Sequence, residues 1–195
     1  MTTSLHYRSM LLAATLLPGV AYAHVGAGIA SGLSHGMLHP FTGLDHLCAM
    51  IAVGLWAKQI GGRAVWMLPV TFVSVMAAGG LLGISGIPLP FVESGILMSL
   101  LILGVLIAAA VRLPLAASAV TVGLFALFHG YAHGAEMPLS ASGLHYALGF
   151  MLATATLHLI GIGMATLLAR AGHPGWLRMT GASIALFGGA LFFAG

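Results

Sequence analysis

Charge is what this sequence has least of. Six Lys and Arg and three Asp and Glu, 5% of 195 residues, cannot cover the surface of a water-soluble domain of that size. Hydrophobic residues make up 60% of the chain and the mean hydropathy is +1.10, so lipid must replace water over most of the exterior. Cysteine is almost missing as well. Cys48 is the one thiol, which rules out a disulfide framework within a single chain. No basic stripe with interleaved aromatics occurs, so the pI near 9.5 does not imply a nucleic-acid partner. A Walker-type Gly-x4-Gly-Lys-Ser/Thr loop is also absent, and the chain does not itself hydrolyse ATP. Internal repeats, linkers and low-complexity segments are not evident.

What is there is a series of apolar stretches. Residues 1–23 read as a cleavable signal peptide: a polar start with Arg8, an apolar run Met10–Val20, then the small-x-small triplet Ala21-Tyr22-Ala23. Cleavage there makes His24 the mature N-terminus. The alternative is an uncleaved anchor, which gives seven spans and a cytoplasmic start. Residues 24–195 then form one all-α integral membrane domain, a bundle of about six transmembrane helices. These run approximately Gly43–Ala57, Ala64–Ile84, Phe91–Val111, Leu115–Met137, Ser140–Ala169 and Gly175–Phe193. Val25–Ala57 is too long for one straight span, and Pro40 disfavours helical geometry at His39. A short outer or re-entrant helix, a turn near His39-Pro40 and a shorter span are therefore expected. Lys58, Arg63, Arg112, Arg170 and Arg178 all fall in alternate connections, the first, third and fifth. By the positive-inside rule these are cytoplasmic, in a bacterial cytoplasmic membrane with the mature N-terminus periplasmic.

Ionisable residues inside a membrane are costly and mark function. Two segments hold most of them. The first is His39-Pro-Phe-Thr-Gly-Leu-Asp45-His46, preceded by His35; the second is Phe128-His129-Gly-Tyr-Ala-His133-Gly-Ala-Glu136. His129 and His133, four apart, project from one helix face within reach of one metal ion, and Glu136 extends that stripe. Imidazole suits Ni, Co, Zn or Cu, and a carboxylate compensates charge or orients a ligating ring. Gly130 and Gly134 admit a close neighbouring helix. Counting helical rise places both segments in the outer half of the membrane, around a shared site of His39, Asp45, His46, His129, His133 and Glu136. His24, His35 and His145 are secondary candidates. His158 is read as a satisfied core histidine, with a relay ligand as the alternative, and His173 as solvated. Glu93 reads as an entrance or interfacial charge, and Trp56, Trp66 and Trp176 as interfacial anchors.

These segments resemble the HupE/UreJ family of nickel and cobalt permeases. The first matches its His-x5-Asp-His pattern at His39, Asp45 and His46. The second matches its Phe-His-Gly-x-Ala-His-Gly-x-Glu pattern at Phe128, His129, Gly130, Ala132, His133, Gly134 and Glu136. The resemblance extends over nearly the whole chain and implies uptake of Ni²⁺, sometimes Co²⁺, feeding hydrogenase, urease or cobalamin-linked pathways. It implies a transporter rather than an enzyme, with no permanently bound cofactor, and leaves the ion, the energy coupling and the oligomeric state open. Two competing readings are a membrane-embedded zinc-dependent hydrolase, which lacks the His-Glu-x-x-His order here, and a metal sensor or chaperone that does not transport.

Overall fold

The computed structural model describes residues 29–137 and 142–194, and every regular element among them is helical. The leader, its cleavage site and His24 lie outside the described residues. Helix α1 (Ile29–Leu38) leads through a 3₁₀ turn (His39–Phe41) into α2 (Leu44–Ile60). Then come α3 (Ala64–Ile84), α4 (Val92–Ala108), α5 (Leu115–Ala135), α6 (Gly143–Arg170) and α7 (Pro174–Ala194). The expected spans match these within a few residues, and α3 matches at both ends.

The break expected near Pro40 is present. Pro40 sits in the 3₁₀ turn, where its missing N–H and fixed φ do no harm, and α1 and α2 meet at 82°. Among the described residues, four helices are long and apolar enough to cross a membrane: α3, α5, α6 and residues Gly175–Ala194 of α7. The α1–α2 pair passes the same test as one bent unit, and α4 is apolar but shorter, at 17 residues. The chain is a multi-pass helical membrane protein.

Small residues decide which helices pair. Helix α3 lies along α5, α4 along α7, and α6 against both α1 and α2. A Cβ added at Gly130 or Gly134 would fall on the Met76 or Gly80 carbonyl of α3. One added at Gly79 or Gly83 would fall on the Leu127 or Tyr131 carbonyl of α5. Between lipid-immersed helices there is no hydrophobic drive, so this backbone proximity and its dispersion contacts supply the association. The core forms around α2 and α3, where Met50, Val53, Leu55, Leu68, Phe72 and Met76 are fully buried. Large apolar side chains such as Val70, Leu81, Val120 and Leu186 stay exposed, as a lipid-facing exterior requires.

One anchor was misjudged from sequence. Trp66 and Trp176 are exposed, but Trp56 is 0% exposed and its Nε1–H donates to the Val111 carbonyl at 3.0 Å. It closes the core where α2 meets the end of α4. The basic residues gather nearby. Lys58, Arg112 and Arg178 line one cleft, and the Arg178 Nε–H donates to the Ala108 carbonyl at 2.8 Å. Asp45 and His46 stand at the opposite end of α2, roughly 18–20 Å from Lys58 at helical rise.

Candidate metal-binding site

The 3₁₀ turn presents His39, and the first turn of α2 presents Asp45 and His46. The Thr42 N–H and hydroxyl both donate to the His39 carbonyl, at 3.0 and 2.7 Å, which fixes the turn. Asp45 Oδ1 accepts two bonds from His46, from its backbone N–H at 2.9 Å and from ring Nδ1 at 3.1 Å. A carboxylate oxygen only accepts, so Nδ1 carries the proton and Nε2 keeps its lone pair. That Nε2 is buried and has no partner among the described residues. Gly43 permits the arrangement: a Cβ there would stand 2.6 Å from Asp45 Oδ1.

Helix α5 supplies the other wall. His129 and His133 are 0% and 3% exposed, and Glu136 caps the helix just beyond. His133 is central, its ring centroid 4.7 Å from that of His39, 4.3 Å from His46 and 4.0 Å from Phe150. Both of its ring nitrogens are buried without a partner among the described residues. His129 lies beneath, 5.0 Å from His46. Its Nε2 is 3.0 Å from Ser99 Oγ, and that hydroxyl donates to the Ile96 carbonyl at 2.6 Å. With the serine proton so engaged, the His129 Nε2–H donates to Oγ, and Nδ1 is left with a free lone pair and no partner among the described residues. At the mouth, His39 Nε2 and Glu136 Oε2 are 3.2 Å apart. A cleft of about 190 Å³ joins His39, Thr42, Gly43, Asp45, His46, His133 and Glu136. Ligand atoms of His39, His133 and Glu136 lie within 4.8 Å of one another, close enough to share one ion.

The two sequence motifs, 97 residues apart at the His39–Glu136 pair, thus meet in one cleft. Residues 12–191 match the HupE / UreJ protein family. Protein HupE of Rhizobium leguminosarum bv. viciae is 50% identical over 182 residues, covering 92% of this chain and 94% of that protein. The chain belongs to the HupE/UreJ family. No solved structure matches it.

Within this HupE/UreJ chain the secondary candidates among the described residues, His35 and His145, do not line the cleft. His35 is exposed on α1 and lines none of it. His145 is half-buried, and its Nδ1 pairs with Ser142 Oγ at 2.8 Å. Glu93 is exposed in the first turn of α4, and His173 is exposed as expected. His158 departs from its reading as a satisfied core residue: it is 0% exposed, but neither ring nitrogen has a partner among the described residues. Cys48 is partly buried and free.

Sequence reasoning passed over Ser99, Tyr146 and Phe150. Ser99 is a polar residue in the otherwise apolar run Ile96–Ile107, a signal that was readable. Tyr146 adjoins His145, which drew attention instead, yet Tyr146 is the one of the pair that packs against His39, at 5.9 Å.

Proposed function

We propose that this chain is a permease that imports a divalent transition metal, Ni²⁺ first and Co²⁺ second, across the cytoplasmic membrane. The observation that carries the reading is the set of buried imidazole nitrogens of His46, His129 and His133 that have no partner within the described protein. Buried polar atoms are nearly always paired, and lone-pair nitrogens converging on a cleft suit a cation of the Ni, Co, Zn or Cu group. HupE/UreJ membership supports nickel or cobalt among these.

In this reading His39 and Glu136 meet the hydrated ion at the mouth. His133, His46 and His129 then replace its water molecules. Asp45 acts through His46, holding the ring so that Nε2 faces outward as a donor, the carboxylate–histidine arrangement common around bound metals. Binding must be strong enough to select the ion and weak enough to release it. Six spans follow if the bent α1–α2 pair and α4 each count as one, with the signal peptide removed, the cleft on the periplasmic side and the basic cleft on the cytoplasmic side.

Ni²⁺ and Co²⁺ flux into vesicles containing only this protein tests the reading. The expected result is saturable uptake that empty vesicles lack, with Ni²⁺ preferred. Tight, stoichiometric Zn²⁺ with hydrolytic activity and no flux would replace it with the hydrolase reading.

A further inference from the structure

His158 is buried as deeply as His129 and lies outside the cleft. A histidine kept only for packing would be a poor choice there, because a buried imidazole without a hydrogen bond costs free energy that Phe or Leu would not. Among the described residues, the buried side-chain nitrogens and oxygens without partners belong mostly to histidines. His158 contributes two of them, as His133 does.

Its position continues the site inward. On α6, residues 146, 150, 154 and 158 recur every four positions and so share one face. Tyr146 packs on His39, and Phe150 on His133 at 4.0 Å. The buried Thr154 hydroxyl donates to the buried Met76 sulfur at 3.6 Å. His158 meets Phe72 edge-on at 5.1 Å, and Phe72 is also 5.7 Å from His129. The face that backs the cleft therefore runs on to His158, roughly 12 Å beyond Phe150 at helical rise. Between them lie a hydroxyl and a thioether, both able to touch a passing cation. Beside His158 the backbone is pinned: a Cβ on Gly54 of α2 would fall on the His158 carbonyl, and one on Gly161 would fall on the Ile51 carbonyl.

We propose that His158 is an inner ligand for the transported cation, taking it from the His46–His129–His133 group by way of Thr154 and Met76 and releasing it toward the basic end of the bundle. This rests on the permease reading. Ion conduction favours several weak sites in series over a single strong one, and His158 supplies a second imidazole station where the chain is otherwise apolar.

The test uses the full-length protein with Ni²⁺ alone, measuring equilibrium binding in detergent and flux in vesicles. His158→Phe keeps a ring of similar size and removes both nitrogens. It is expected to bind Ni²⁺ at the cleft as the parent does while flux falls by roughly 10–100-fold, the range found when a group supporting a metal is lost. Parental flux in His158→Phe overturns the proposal, since packing alone would then explain the residue. So does equal loss of binding and flux, which would assign His158 to the cleft itself. If the ring replacement unsettles the fold, His158→Met and His158→Leu decide: the sulfur donor should conduct and the hydrocarbon should not, and equal flux in the two overturns the proposal. A parent protein that binds Ni²⁺ but never moves it removes the permease reading, and the inner station with it.

Discussion

His39, Asp45 and His46 stand on backbone that bends by 82°, whereas His129 and His133 stand on 21 unbroken residues of α5. The first wall is held by short local bonds: Thr42 to the His39 carbonyl, and Asp45 to His46. The second is held by backbone contact with α3 through Gly130 and Gly134. Exposure divides the site differently: His39 at the mouth is partly open and Glu136, which caps α5, is exposed, while His129 and His133 are sealed. The difference teaches that the site combines a lip shaped by local bonds with a floor set by helix packing.

The comparison can be broken most severely at the floor. Gly130→Val would drive a branched side chain into the Met76 backbone, which cannot step aside as a side chain would. The expected outcome is loss of most folded protein from the membrane, read by immunoblot and by detergent melting. Next comes His133→Ala. Both nitrogens of this ring lack partners among the described residues, so its removal orphans none of them, and protein level should hold while Ni²⁺ binding and uptake fall to background. Retained uptake would show that the central ring is not on the path.

Asp45→Asn tests the lip. The amide keeps the shape of the carboxylate but loses its charge, so His46 is held less firmly as a donor. Ni²⁺ affinity is expected to drop about 10–100-fold, measured by titration of the purified protein. The smallest effect belongs to Ser99→Ala, which removes the acceptor for the His129 Nε2–H. The buried N–H left without an acceptor costs about 1–3 kcal/mol, mostly in folding stability because His129 keeps its Nδ1 lone pair, so uptake should fall about 2–10-fold. If Ser99→Ala proved as damaging as His133→Ala, the ranking of floor over support would have to be reversed.

Much of the fold was legible in the sequence because two signals survive any packing. Breakers end helices locally, so Pro40 announced the bend. Ionisable residues are so scarce that their clustering in two segments pointed to one site. Burial was less legible. In a chain apolar all round, hydropathy does not separate a face toward lipid from a face toward another helix. Trp56 next to Lys58 read as an interfacial anchor, and only the packing of α2 on α4 shows that its indole is enclosed. Ser99 was readable as a polar residue in an apolar run but was passed over, and His158 was weighed as a core histidine or a relay ligand. What each of them faces depends on which helix lies opposite, which spacing along one helix does not reveal. His145 and Tyr146 make the point most sharply: of these adjacent residues on α6, His145 turns to Ser142 and Tyr146 to His39.

The bend at His39–Phe41 has an electrostatic consequence. Peptide dipoles aligned along a helix leave about half a negative charge at its C-terminus and half a positive charge at its N-terminus, concentrated in the last and first turns. A straight first span would carry neither pole at the depth of the cleft. By stopping α1 at Leu38 and restarting at Leu44, the chain brings the negative pole of α1 to the cleft beside that of α5, which ends at Ala135. The positive pole of α2 arrives with them, and Asp45 sits in its first turn, where a carboxylate offsets it. The broken span thus turns backbone that would be electrically neutral at this height into a field favouring a cation, with Asp45 cancelling the one opposing pole.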